Sequence, residues 1–148
     1  MKLLSICLGV VMALSGVEYK CIQDAIMNAD SITVNISQNE YVVDRGSAQY
    51  DGLMDFVQRI LDGSHQVPAL GVAIHSEVIE EKKNKNWIEF KFGESSECGE
   101  MPFDSLLIFL EKDMGGINVL RSYKGKYEGR CFYINLSSNL SDFFNILN

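Results

Sequence analysis

The sequence predicts an α+β domain in which an antiparallel sheet packs against two helices, with an N-terminal hairpin and about five C-terminal strands in a meander. Three observations carry that expectation. Apolar residues recur at helical spacing in two stretches of the first half, over 17–30 and 51–62. β-Branched and aromatic residues gather in short runs bounded by turn-forming residues. Runs of this second kind fill nearly all of the second half. A length of 148 residues suits one hydrophobic core, and an apolar fraction of 47% with only two prolines argues against disorder.

The chain opens with Met1-Lys2, an apolar run from Leu3 to Leu14, and Ser15-Gly16. A basic residue, an apolar stretch and a small-residue patch have the layout of a secretory signal peptide. Residues 1–15 are therefore expected to be a leader, with 16–148 as a single secreted domain. Glu18 and Lys20 stop the run short of the roughly 20 apolar residues that a transmembrane helix needs. The segment 3–14 also lacks the polar face of a surface helix, since Ser5 is its one clearly polar residue. Leu14-Ser15-Gly16 resembles the opening of a bacterial lipoprotein signal, but Val17 stands where the lipidated cysteine belongs. The alternative is that 3–14 joins the core of a cytoplasmic protein.

The elements follow in order. Cys21, Ile22, Ala25, Ile26 and Ala29 share one face of a helix over 17–30. Residues 31–37 and 40–44 form a hairpin turned at Gln38-Asn39. Leu53, Phe56, Val57, Ile60 and Leu61 mark the apolar face of a second helix, closed by Gly63. Val72, Ile74, Val78, Ile88, Phe90 and Phe92 all carry even numbers. That parity predicts a hairpin of 72–81 with 87–93, in which Val78 meets Phe90 inside and Glu77 meets Lys91 outside, with Glu89 also exposed. Leu106–Leu110 reads as a central strand buried on both faces. Gly115-Gly116 leads into 117–123, and Lys124–Gly129 turns that strand into 130–136. Leu140, Phe143, Phe144 and Leu147 suggest a short terminal helix.

Charge and cysteine usage narrow the function classes. Thirteen basic against twenty acidic residues give a net charge of −7, which phosphate backbones repel, so no nucleic acid is expected and a cationic protein is the better partner. Cys7, Cys21, Cys98 and Cys131 show neither zinc nor redox spacing, and most are expected to be small buried hydrophobes. Loss of Cys7 with the leader leaves an odd number and hence a free thiol or an intermolecular bridge.

Catalytic motifs are missing: there is no nucleophile elbow, no phosphate-cradling glycine loop and no histidine pair at metal spacing. His65 falls in a loop and His75 on the polar side of its strand. Cys98 lies near Glu97 and Glu100, whose charges raise a thiol pKa and oppose an activated thiolate. No catalytic residue, metal or cofactor is expected.

One constellation stands out. Arg121, Lys124, Lys126 and Arg130 interleave with Tyr123 and Tyr127 across a turn. A register with Val119 opposite Ile134 sets Tyr123 opposite Arg130 and Arg121 opposite Phe132. These six residues are the candidate ligand-binding surface, suited to an anionic ligand through bidentate arginine contacts and aromatic stacking. The structural alternative pairs Arg121 with Asp104, Glu111 or Glu128. The reading is a small exported binding module without catalysis. The alternatives are a cytosolic acidic inhibitor-like protein that binds a basic partner, or a small hydrolase using Cys98 or a carboxylate pair.

Overall fold

Ser37 and Gln38 both adopt a left-handed backbone, φ 51° and 65°, and turn β1 (Ser31–Ile36) into β2 (Asn39–Asp44). A two-residue turn of this hand matches the twist of paired strands and sets Val34 against Tyr41 and Ile36 against Asn39. In this computed structural model, which describes residues 21–62, 65–111 and 116–136, the hairpin is one flank of an eight-stranded antiparallel sheet. The expected leader over 1–15, Gly63 and the expected terminal helix lie outside the described residues.

The remaining strands are β3 (His65–Ala73), β4 (Trp87–Cys98), β5 (Met101–Phe109), β6 (Gly116–Tyr123), the short β7 (Lys126–Tyr127) and β8 (Gly129–Asn135). Their order is β2-β1-β4-β5-β6-β8-β3, and β7 pairs with β6 off this path. The N-terminal hairpin and the C-terminal meander are both as the sequence predicts. Leu106, Leu107 and Ile108 of β5 are buried in succession, as a strand covered on both faces must be.

Helical residues 21–27 (α1) and Ala48–Leu61 (α2) cover one face. α2 begins earlier than its apolar spacing implies because Ser47 caps it, accepting the Tyr50 N–H at 3.1 Å. Its Leu53, Phe56, Val57 and Leu61 join Ile22 and Ile26 of α1 in the larger core. The sheet side of that core is built by the even residues of β4, Ile88 and Phe90, together with Leu106, Val119 and Phe132.

The other face departs from expectation. Residues 72–81 do not form one strand: β3 ends at Ala73, and His75–Asn84 is a third helix, α3. Alternating apolar residues at 72, 74 and 78 fit a strand, but from position 75 the spacing of opposite charges favours a helix. Lys83 meets Glu80 at 2.7 Å and Lys85 meets Glu81 at 3.0 Å, three and four residues apart. Val78 therefore never opposes Phe90, which lies between Ile32 and Leu106 instead. α3 covers Trp87 and Glu89 of β4, so Glu89 is buried rather than exposed as parity predicts, while Lys91 is exposed as expected. A smaller core of Val78, Trp87, Leu107, Leu120 and Tyr127 results.

The final strand pairing is also corrected. Val119 opposes Phe132, and Ile117 opposes Ile134, two residues away from the expected register. The turn tightens to Lys124-Gly125, with φ of 50° and 78°, and β7 folds directly onto β6 with Ser122 opposite Tyr127. An irregular step at Glu128, ended by Gly129 at φ 83°, then shifts the chain into β8.

Candidate functional site

The structure separates the six residues of the candidate surface. Arg121 is half-buried, and its guanidinium donates from Nη1 to the Pro102 carbonyl at 2.9 Å and from Nε to the Arg130 carbonyl at 3.2 Å. Two main-chain carbonyls thus take the place of the expected carboxylate. Asp104 instead accepts the Lys124 N–H at 2.7 Å. Gly129 makes room for this arrangement, because a Cβ there would lie 2.5 Å from Arg121 Nη2. Tyr127 is buried, whereas Tyr123 is half-exposed with the Lys124 ammonium 5.1 Å from its ring centre. Lys124, Lys126 and Arg130 remain on the surface.

Tyr127 belongs to a buried polar cluster that sequence reading did not find. Glu89, only 4% exposed, accepts from Tyr127 Oη at 2.5 Å, Ser105 Oγ at 2.7 Å and Lys82 Nζ at 2.9 Å. Lys82 also reaches Tyr127 Oη at 3.0 Å and lies 4.0 Å from the centre of the Trp87 ring. The indole N–H of Trp87 in turn donates to the Lys82 carbonyl at 3.0 Å. Burial pushes the Glu89 pKa up, but the Tyr127 and Ser105 hydrogen bonds and the Lys82 charge outweigh it and hold the carboxyl below its ordinary value. Burial pushes the Tyr127 phenol far above its usual range, and the neighbouring Glu89 charge adds to that shift. An ionised, hydrogen-bonded carboxylate beside a firmly protonated phenol is chemically fixed, and its evident work is to fasten α3 to the sheet.

His75 opens α3 instead of lying on a strand. Its Nδ1 accepts the Tyr127 N–H at 3.2 Å, and the two rings stack with centres 6.0 Å apart. The helix is thus held at its first residue by β7. At its other end the Asn35 side chain donates to the Lys85 carbonyl at 3.1 Å.

A cleft of about 290 Å³ runs beside α3. Phe109, Leu120 and Cys131 line it from the sheet, Glu77, Val78 and Glu81 from α3, and residues 71–74 from the end of β3. Val72 and Ile74 in that last segment are 63% and 50% exposed. Lys85 also borders the cleft, with its ammonium 5.5 Å from the centre of the Phe109 ring and paired to Glu81. Burial raises the pKa of the Cys131 thiol, which is therefore a poor nucleophile at neutral pH.

Cys21 and Cys98 form a disulfide with Cα atoms 5.8 Å apart, a pairing that cysteine spacing alone does not give. The bond fastens α1 to the end of β4 and leaves Cys98 with no thiol to act as a nucleophile. Among the described residues, no group of three or more His, Cys, Asp or Glu is placed to hold a metal ion. Among them, too, no helix is long and apolar enough to cross a membrane. Comparison with protein-family models, curated proteins and solved structures finds no match.

Proposed function

We propose that this protein is an exported, non-catalytic binding module whose cleft beside α3 receives a basic and apolar segment of a partner protein. The observation that carries this reading is the composition of the cleft, which Phe109 and Leu120 line together with Glu77 and Glu81. A chain segment with alternating apolar and cationic side chains meets both surfaces at once. The net charge of −7 favours encounter with the same class of partner. Export is supported by the leader-like residues 1–15 and by the Cys21–Cys98 disulfide, a bond that persists in oxidising compartments. The same bond weighs against the cytosolic inhibitor-like alternative. An anionic ligand at the β6–β7 turn is the weaker reading, because Arg121 and Tyr127 are engaged within the fold.

Fluorescence polarisation with three labelled dodecapeptides tests the proposal. One alternates arginine with leucine, one glutamate with leucine, and one arginine with glycine. Saturable binding of the first alone, weakened by salt and by Glu77→Gln together with Glu81→Gln, is the expected result. Equal binding of the arginine–glycine peptide would reduce the interaction to net charge and reject the cleft.

A further inference from the structure

We infer that Lys85 is a built-in competitor for the cleft, its ammonium standing where a cationic side chain of the partner would bind. The inference rests on the preceding reading of the cleft as the binding site. Lys85 Nζ lies 3.0 Å from Glu81 Oε2 and 5.5 Å from the Phe109 ring centre. A carboxylate on one side and an aromatic face on the other are the two groups that recognise an arginine or lysine. The cleft is thus preset for a cation, and the chain supplies one of its own.

Two lysines within α3 put this one, the residue that closes the helix, in relief. Lys82 also lies over an aromatic ring, that of Trp87, but its side chain is only 19% exposed and is locked to Glu89 and Tyr127. It belongs to the core and is not exchangeable. Lys83 pairs with Glu80 at 2.7 Å, both 60% or more exposed, and neither lines the cleft. Lys85 and Glu81 lie between these extremes, at 45% and 46% exposed. An ion pair of that exposure is weak enough for an incoming cation to exchange with it. Removing the Lys85 ammonium therefore vacates a formed site without disturbing the buried cluster.

Lys85→Ala and Lys83→Ala each remove one positive charge from the C-terminal end of α3, Lys83 in its last turn and Lys85 at its cap, so net charge changes equally in both. With the arginine–leucine peptide, Lys85→Ala is expected to tighten binding about three- to five-fold and Lys83→Ala less than about two-fold, the range a semi-exposed ion pair allows. Lys85→Arg, a better partner for both the carboxylate and the ring, is expected to weaken binding. Equal gains from the two alanine variants would overturn the inference, since charge alone would then explain both. Wild-type binding that Lys85→Ala leaves unchanged would overturn it while leaving the cleft reading intact. Absence of peptide binding by the wild type and by every variant would reject both.

Discussion

Lys82 and Glu89 form an ion pair at 2.9 Å that joins α3 to the sheet beneath it. Val78 is the buried residue within α3, so apolar burial alone gives this helix little hold. The pair is supported on every side, by Tyr127 and Ser105 on the carboxylate and by Trp87 against the ammonium. Hydrogen bonds of this completeness are what allow a buried charge to be tolerated.

Glu89→Gln keeps the shape but removes the charge, leaving Lys82 uncompensated and Tyr127 with a poorer acceptor. The expected loss is about 2–4 kcal/mol in a denaturant titration at neutral pH. The pH dependence follows from the lowered carboxyl. A folded-state pKa below the unfolded one gives stabilisation that is complete above the ordinary glutamate value of 4.5 and lost as pH falls through the folded value. Wild-type stability should fall more steeply below about pH 4.5 than that of Glu89→Gln; parallel curves would deny Glu89 this role.

The Cys21–Cys98 bond spans 77 residues of sequence. Closing so long a loop in the unfolded chain predicts a contribution of about 3–4.5 kcal/mol. Cys21→Ser with Cys98→Ser should lose that amount, and a reducing agent should lower the stability of the wild type but not of the double variant. A reductant effect of the same size in both would place the sensitive bond elsewhere.

Ser37 and Gln38 hold left-handed conformations that asparagine and glycine adopt at lower cost. Replacing them with Asn-Gly should stabilise the protein by about 1 kcal/mol without altering any strand residue. A neutral or negative change in thermal unfolding would mean that the Ser37 or Gln38 side chain makes a compensating contribution.

Arg121→Ala removes two hydrogen bonds and leaves the Pro102 and Arg130 carbonyls without these donors. A loss of about 1–3 kcal/mol is expected, with peptide binding at the cleft unchanged. Unchanged stability together with lost binding would restore Arg121 to the functional surface.

Sequence reading succeeds where one periodicity dominates. The buried run 106–108 lies as its pattern predicts, the 31–44 hairpin forms with its turn one residue earlier, at Ser37-Gln38 instead of Gln38-Asn39, and α2 differs mainly by the turn that Ser47 adds. It misplaces α3 because three apolar residues of even number outweigh a charge pattern, Glu80–Lys83 and Glu81–Lys85, that speaks for a helix. That one misreading exposes Glu89 and hides both the buried cluster and the cleft. Lys82, Glu89, Ser105 and Tyr127 come from four different elements, and no local spacing relates them. The signal available was Trp87-Ile-Glu-Phe90, in which an acidic residue alternates with apolar ones and shares its face with Trp87. Tyr127 is recognised as unusual, but its aromatic ring is directed to the interior rather than to a ligand.

Strand order also dictates how the chain must assemble in time. β4, β5 and β6 neighbour one another in sequence and can pair as soon as each is made, whereas Ser31 faces Lys91 and Ala73 faces Gly129. Both flanks of the sheet therefore wait for residues more than fifty positions downstream, and such distant closures slow folding. The first hairpin emerges early from the ribosome with its β1 edge unpaired, a template for pairing with the wrong chain until β4 arrives. Nascent copies of this protein thus have a window of vulnerability to aggregation that the finished sheet order closes.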